Sequence, residues 1–399
     1  MAISKKLTVG FVSTFTPESN YSQFLSESIY KSKQNDLKLI AYAPLHENVS
    51  NLRVGLKKKI WNYFWYPLQI AFHSFRDNID IIHFQYEFNM YGSMIFSSFF
   101  PLALLLQKLI RKKVVTTVHV VVSQNEIDED FKSTFNASLL PSALIKTWFY
   151  INYFFIGYIS DTIIVHSECF KETLEREYKI DKNKIIVLNH GIPSYNNKDK
   201  KLNLFKKLIH NYKNKKVILS FGYITKRKGL DYLIKAFEKI NKKYNEVILI
   251  IAGNVLIHEK KYIETLKKKI VDIPNILIID RFLTLDEIKA LYSNSYISVF
   301  PYTYSISASG TTALSFAFSV PLIVTNLGSF KEDIEETDCG ILVNKKNAHD
   351  LEKAIEKLLT NKKVYKKIKY KMNIVKKERS WSNIAIQTIN LYKNNLDIN

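Results

Sequence analysis

In VILSFGYITKRKGLDYLIKAF, residues 217–237, the chain passes from a β-branched run to a helical segment through a short basic loop. The run stops at Gly222, the loop carries Lys226, Arg227 and Lys228, and a helix is expected from near Gly229. A strand, a tight turn and a helix in that order form the first part of a βαβ unit, which demands a second, parallel strand. The same alternation recurs along the whole chain. Strands are predicted to begin at Leu7, Leu37, Asp80, Val114, Thr162 and Ile185, and again at Val217, Val247, Ile276, Ile297, Pro321 and Gly340, with helix-length segments between them. A polar, lysine-rich stretch, Ser194–Lys216, reads as the linker between the two series. Two such halves predict an α/β protein of two Rossmann-like domains whose parallel sheets face a cleft, with ligands at the carboxyl ends of the strands.

Composition narrows the class. The 399 residues contain 58 Lys+Arg and 37 Asp+Glu, a net charge of +21, and 47% are hydrophobic, enough for large packed cores. Seven of the 58 basic residues are Arg, too few for a surface that reads bases by bidentate contacts, so no nucleic-acid partner is expected. Cys169 and Cys339 are the two cysteines, with no CxxC pair and no histidine cluster at ligand spacing, so neither a disulfide framework nor a structural metal is expected. The N-terminal MAISKKLTVGFVSTF lacks the form of a cleaved leader. The apolar windows Met94–Leu106 and from Thr147 are both shorter than the roughly 20 residues that span a bilayer. The expectation is a cytoplasmic protein.

Two stretches carry chemistry. Lys226, Arg227 and Lys228 follow a strand end marked by Gly222, where a diphosphate fits; a solvated basic loop is the plainer alternative. In PYTYSISASGTTALSFAF, residues 301–318, Ser307, Ala308, Ser309 and Gly310 are small, and a helix is expected from Thr311. Small residues let backbone N–H groups reach an anion, and the helix amino end adds about half a positive charge. Ser309 or Thr311 capping that helix without any ligand is the simpler account.

Taken together, Gly222 followed by Lys228-Gly229, Leu230-Asp231 and Ala236-Phe237, then TLDEIKALYSNSYISVFP, PLIVTNLGSFKE and CGILV, resemble the donor-binding domain of retaining GT-B glycosyltransferases. The group is the nucleotide-sugar family called family four. NIDIIHFQYEF, KKVVTTVHV, SDTIIVHSECFKETLEREY and KIIVLNHGIP resemble its N-terminal half in the same order. The resemblance implies an acceptor-binding domain over 1–193, a linker over 194–216, a donor-binding domain over 217–375, and a last helix within 376–399 that crosses back onto the first domain.

It also implies roles. Lys228 matches the lysine on the donor diphosphate, with Lys226 or Arg227 supplying a second charge because Tyr223 stands where the family has arginine. Gly222, Ser309, Gly310 and Thr311 match the phosphate-holding loops, Glu332 an acid near the donor, and His119 a catalytic histidine near the transferred sugar; a histidine simply satisfied at a strand end is the alternative. Glu87 and Gln85 are placed near the acceptor, or Glu87 is a structural acid paired to lysine. Two features depart from the family: its spaced glutamate pair falls near Ile306 and Leu314, and its N-terminal glycine-rich loop is replaced by the glycine-free STFTPESNYSQ.

The implied activity is metal-independent, retaining transfer of mannose, glucose or galactose from a nucleotide sugar to a lipid-linked or polysaccharide acceptor. An inactive GT-B scaffold that binds a partner or membrane stands as the alternative. The lysines and aromatics of LKKKIWNYFWYPLQIAF, Leu56–Phe72, suit an anionic membrane surface, giving a peripheral position on the inner face of the cell membrane, or else fold inward as core.

Overall fold

The computed structural model describes residues 6–15, 20–34, 36–135, 137–195, 215–304, 306 and 310–397. Seven strands build the first sheet: β1 Leu7–Val12, β2 Leu37–Pro44, β3 Leu56–Trp61, β4 Ile81–Tyr86, β5 Lys113–Val118, β6 Thr162–Val165 and β7 Ile185–Val187. They lie in the order β3-β2-β1-β4-β5-β6-β7, and every pairing is parallel. The second sheet contains β8 Lys216–Phe221, β9 Val247–Ala252, β10 Ile276–Ile279, β11 Ser295–Phe300, β12 Leu322–Thr325 and β13 Gly340–Val343. Its order is β10-β9-β8-β11-β12-β13, again all parallel. Each sheet therefore reverses its winding once, between β1 and β4 and between β8 and β11, the crevice at which such sheets bind ligands.

All twelve expected strands are present, and the chain adds one more. β3, LKKKIW, is an edge strand whose lysines give it no apolar alternation to read; charged side chains there discourage pairing with another sheet. Central strands behave oppositely. Val247–Ala252 is buried along its whole length because helices cover both faces.

Helices Tyr66–Arg76, Phe100–Leu109 and Ser142–Ile159 connect strands that step rightward through the first sheet, so right-handed crossovers place them on one face. Ile70, Leu104, Phe149 and Tyr153 are their core-facing residues. Helix Asn20–Lys31 and the last helix, Trp381–Asp397, cover the other face through Leu25, Ile29, Trp381, Ile389 and Tyr392. The last helix thus packs on the first sheet: Tyr392 Oη lies 2.6 Å from His83 Nδ1, and Thr162 Oγ1 donates to Asn395 Oδ1 at 2.8 Å. The chain returns beside Ile192, whose N–H donates to the Arg379 carbonyl at 2.7 Å, with Gly191 so close to Trp381 that a Cβ there would sit 2.3 Å from the indole. Of the expected linker 194–216, residues 196–214 lie outside the described residues. Among the described residues no helix is long and apolar enough to cross a membrane.

Candidate functional site

β8 ends at Gly222, whose φ of +118° only glycine adopts at ease, and a Cβ there would lie 2.7 Å from Lys228 Nζ and 3.1 Å from Thr311 Cγ2. The missing side chain is what lets the lysine ammonium and the amino end of helix Gly310–Phe318 converge. Gly229, at φ +63°, starts the following helix with its backbone against the Pro301 carbonyl, where a Cβ would stand 2.0 Å away. The loop is thereby pressed onto the end of β11, at the point where the winding reverses.

Lys228 is buried, and its Nζ donates to Tyr302 Oη while lying over the same ring at 4.4 Å. Arg227 stacks on Tyr302 and Tyr304, 4.8 and 5.5 Å from their centroids. Loss of hydration pushes the Lys228 ammonium below its ordinary pKa, Tyr302 works against that, and Arg227 adds to it. Burial works to raise the Tyr302 hydroxyl, but Lys228 and Arg227 outweigh it and the phenol is lowered. Among the described residues neither cation forms a salt bridge. Two cations held by a phenol and aromatic faces, next to a helix amino end, make a site for an anion.

Two expected donor residues have partners in the first domain. Lys226 reaches across the cleft to Asp130 at 3.6 Å, beside Lys346 at 3.3 Å. Glu332 accepts from the Glu168 and Cys169 N–H groups at 2.6 and 3.0 Å, so its carboxylate caps helix Glu168–Tyr178 of the first domain. Ser309 lies outside the described residues. Gly310 is exposed, and a Cβ there would meet nothing within 4 Å. At the two positions where the family has glutamates, Ile306 is buried in the first domain's core with its carbonyl accepting from Val121 N–H at 2.9 Å, and Leu314 packs under β8 and β9.

On the facing sheet, Gln85 is fully buried on β4 and bridges His83 and His119 at 2.9 Å each. That burial spends Gln85 on the two imidazoles rather than on the cleft wall. His119, just past β5, also meets His166 Nε2 through Nδ1 at 3.1 Å, and His166 Nδ1 meets the Leu188 carbonyl at 2.9 Å. Burial depresses all of these imidazoles: His83 and His166 to about 3, His190 to about 4, and His119 well below the ordinary value, with His166, His190 and His83 adding to the effect. They are neutral at pH 7.

Neutrality fixes the direction of the chain. His166 Nδ1–H donates to the carbonyl, so its Nε2 accepts from His119 Nδ1–H, leaving a lone pair on His119 Nε2. A half-turn of the Gln85 amide, which exchanges its O and N, gives that lone pair a donor without a buried charge. With both nitrogens engaged and proton affinity lowered by burial, His119 is a ring held in one orientation. Tyr21 holds it edge-on at 4.6 Å.

Glu87, at the end of β4, is half-buried, and burial raises its pKa against the pull of Arg227. Tyr302 and Asp130 were not anticipated from sequence. Tyr302 lies in PYTY, where nothing but proximity to a strand end distinguishes it, and Asp130 sits in the other domain. A cavity of about 500 Å³ lined by Asn189, Glu336, Lys371 and Arg379 lies behind the chain crossing and includes none of the basic-loop residues. Among the described residues no group of three or more His, Cys, Asp or Glu is placed to hold a metal ion.

Comparison with known proteins agrees with the two-domain fold. The family model described as Glycosyl transferases group 1 matches residues 201–374, and that described as Glycosyltransferase Family 4 matches residues 30–194. The chain is 29% identical over 246 residues to the uncharacterized glycosyltransferase MJ1607 of Methanocaldococcus jannaschii, covering 59% of this chain and 60% of that protein. It is 26% identical over 207 residues to the capsular polysaccharide biosynthesis glycosyltransferase CapM of Staphylococcus aureus, covering 50% of this chain and 52% of that one. These matches thus span about half to three fifths of those relatives. Among solved structures, a glycosyltransferase from Rickettsia africae ESF-5 superposes with a TM-score of 0.73 at 20% identity over 99% of this chain and 100% of that one. Alr3699/HepE of Anabaena, solved in complex with UDP, gives 0.72 at 11% identity over 97% and 100%.

Proposed function

Because the chain belongs to the glycosyl transferases group 1, with a Family 4 first half, we propose that it transfers a hexose from a nucleotide sugar to a glycan or lipid-linked acceptor with retention of configuration. The observation that carries this reading is the cation pair, Lys228 and Arg227, which forms no salt bridge among the described residues and sits beside the amino end of helix Gly310–Phe318 at the β8/β11 crossing. A leaving nucleoside diphosphate develops negative charge as its bond to the sugar breaks. Lys228, Arg227 and the amino end of helix Gly310–Phe318 meet that charge in place, without reorganisation and without requiring a metal. The bond from C1 to the diphosphate oxygen breaks, the acceptor oxygen bonds to C1 on the same face, and the acceptor proton passes to the departing phosphate oxygen. His119 serves as a rigid neutral wall beside the sugar, and Glu87 faces the acceptor. UDP and UDP-glucose in the HepE complexes, and the capsular polysaccharide in the CapM name, support this class of donor and acceptor.

The reading is tested by incubating the chain with UDP- and GDP-linked glucose, galactose and mannose. Nucleotide release with an α-linked product is expected from one of them. An inactive scaffold is favoured by the apolar Ile306 and Leu314 at the glutamate positions. Failure to bind any nucleoside diphosphate is the outcome that selects it.

A further inference from the structure

The helix layer on one face of the first sheet has two apolar stripes where a surface helix has one. Helix Tyr66–Arg76 buries Tyr66, Ile70 and Ser74, yet exposes Leu68, Phe72 and Phe75 at helical spacing on its other side. Helix Phe100–Leu109 buries Ala103, Leu104 and Gln107 and exposes Leu102, Leu105 and Leu109. Helix Ser142–Ile159 buries Phe149, Tyr153 and Ile156 and exposes Ile151, Phe154 and Tyr158, the last at 74%. Of the 29 exposed large hydrophobic side chains among the described residues, 19 fall between residues 56 and 158, so the patch is not the scatter normal for a surface.

The layer is continuous. Phe64 packs edge-on against Trp65 and Phe96, and Trp148 Nε1 donates to Ser98 Oγ at 2.8 Å, joining the amino ends of the helices. Those ends lie at the carboxyl ends of the strands, on the side of the cleft. The expectation placed a membrane contact on Leu56–Phe72. In the structure Trp61 and Tyr66 of that stretch are core and its lysines lie on the β3 edge, while Phe64, Trp65, Leu68 and Phe72 join the larger face.

Charge identifies the occupant. Helices Tyr66–Arg76, Met94–Ser97, Phe100–Leu109 and Ser142–Ile159 contain no Asp or Glu; their charged residues are Arg76, Lys108 and Lys146, with Arg111 just beyond. The acids nearest their ends are already engaged, Asp77 by Lys58 at 2.6 Å and Arg76 at 3.7 Å, and Asp161 by Lys108 at 2.8 Å, which leaves Lys146 and Arg111 as the cations of this face without a salt bridge among the described residues. A second copy of this chain is a poor fit, because a two-fold interface sets each patch against itself and brings cations to a face with no carboxylate to receive them. The geometry points to an anionic lipid bilayer, with the aromatic and aliphatic stripe in the headgroup boundary and the cations at its rim among lipid phosphates. The docking is independent of whether the cleft transfers sugar.

Sedimentation of the full chain with vesicles tests it. Substantial binding is expected to equimolar phosphatidylcholine and phosphatidylglycerol, weakening as salt rises, with far less binding to phosphatidylcholine alone. The triple variant Phe72→Gln, Phe75→Gln, Leu105→Gln is expected to lose at least about tenfold in partition at unchanged unfolding temperature, since the removed side chains are exposed in the free protein. Arg111→Glu with Lys146→Glu is expected to lose at least about fivefold per cation on the anionic vesicles only. Two results overturn the inference: no vesicle binding, or binding that neither variant changes. A concentration-dependent dimer split by the glutamine variant overturns it in favour of self-association.

Discussion

At the β1/β4 crossing, His83, Gln85, His119 and His166 satisfy one another inside the protein, and burial keeps them neutral. At the equivalent β8/β11 crossing, Lys228 and Arg227 rest against a phenol and two aromatic faces. The strand order around the two crossings is the same, so topology does not decide which one takes an anion. One set of polar groups is complete without a ligand, and the other is not. Fold places a site; the electrostatic balance of its residues says what enters it.

Removing the charge is the strongest way to break this contrast. Lys228→Met is expected to lower sugar-transfer turnover about 10²–10³-fold, the ~2.7–4 kcal/mol typical of a preorganised charge donor, followed as nucleotide release. Its unfolding temperature should hold or rise, because an apolar side chain replaces a buried ammonium. Unchanged turnover separates Lys228 from the chemistry.

Acid should act on the other crossing. A histidine whose folded pKa is near 3 leaves the unfolded chain to take up protons first as pH falls below the ordinary value of about 6.5, so stability is complete above that pH and declines toward the folded pKa. The slope approaches about 1.4 kcal/mol per pH unit for each such histidine. Thermal unfolding from pH 7 to 4 should show this decline, and His166→Asn should flatten it. A profile equally steep in that variant removes His166 as a source.

Smaller effects sharpen the boundary between the halves. Glu332→Gln keeps one of the two hydrogen bonds, because its amide nitrogen cannot accept, and loses the charge at the helix amino end, with an expected cost of about 1–2 kcal/mol seen in thermal unfolding. Gly310→Ala should leave unfolding unchanged, since its Cβ meets open space, and weaken nucleoside diphosphate binding only a few-fold. An equal loss of stability would mean the helix start is closed by protein.

The sheets were legible because β-branched runs and helical segments alternate in Rossmann order, and because Gly222 and Lys228-Gly229 mark the turn between β8 and its helix. β3 was not legible: an edge strand of lysines carries no alternation. Nor was Tyr302 as the partner of Lys228, since a tyrosine after a strand ordinarily packs. The positions of Lys226 and Glu332 depend on Asp130 and the helix at Glu168, in the other domain, and no local pattern encodes such pairings. The outward stripe on the helix layer was half-legible; its apolar residues are plain in sequence, but which of them face outward is set by the sheet they cover.

The central claim is that the second sheet's crossing binds the donor diphosphate through Lys228. Calorimetric titration of UDP and GDP into the wild-type chain, Lys228→Met and His119→Ala tests it most directly. The account predicts saturable binding of at least one nucleotide to the wild type, loss of at least about tenfold in affinity in Lys228→Met, and little change in His119→Ala. Equal affinity in wild type and Lys228→Met would contradict it.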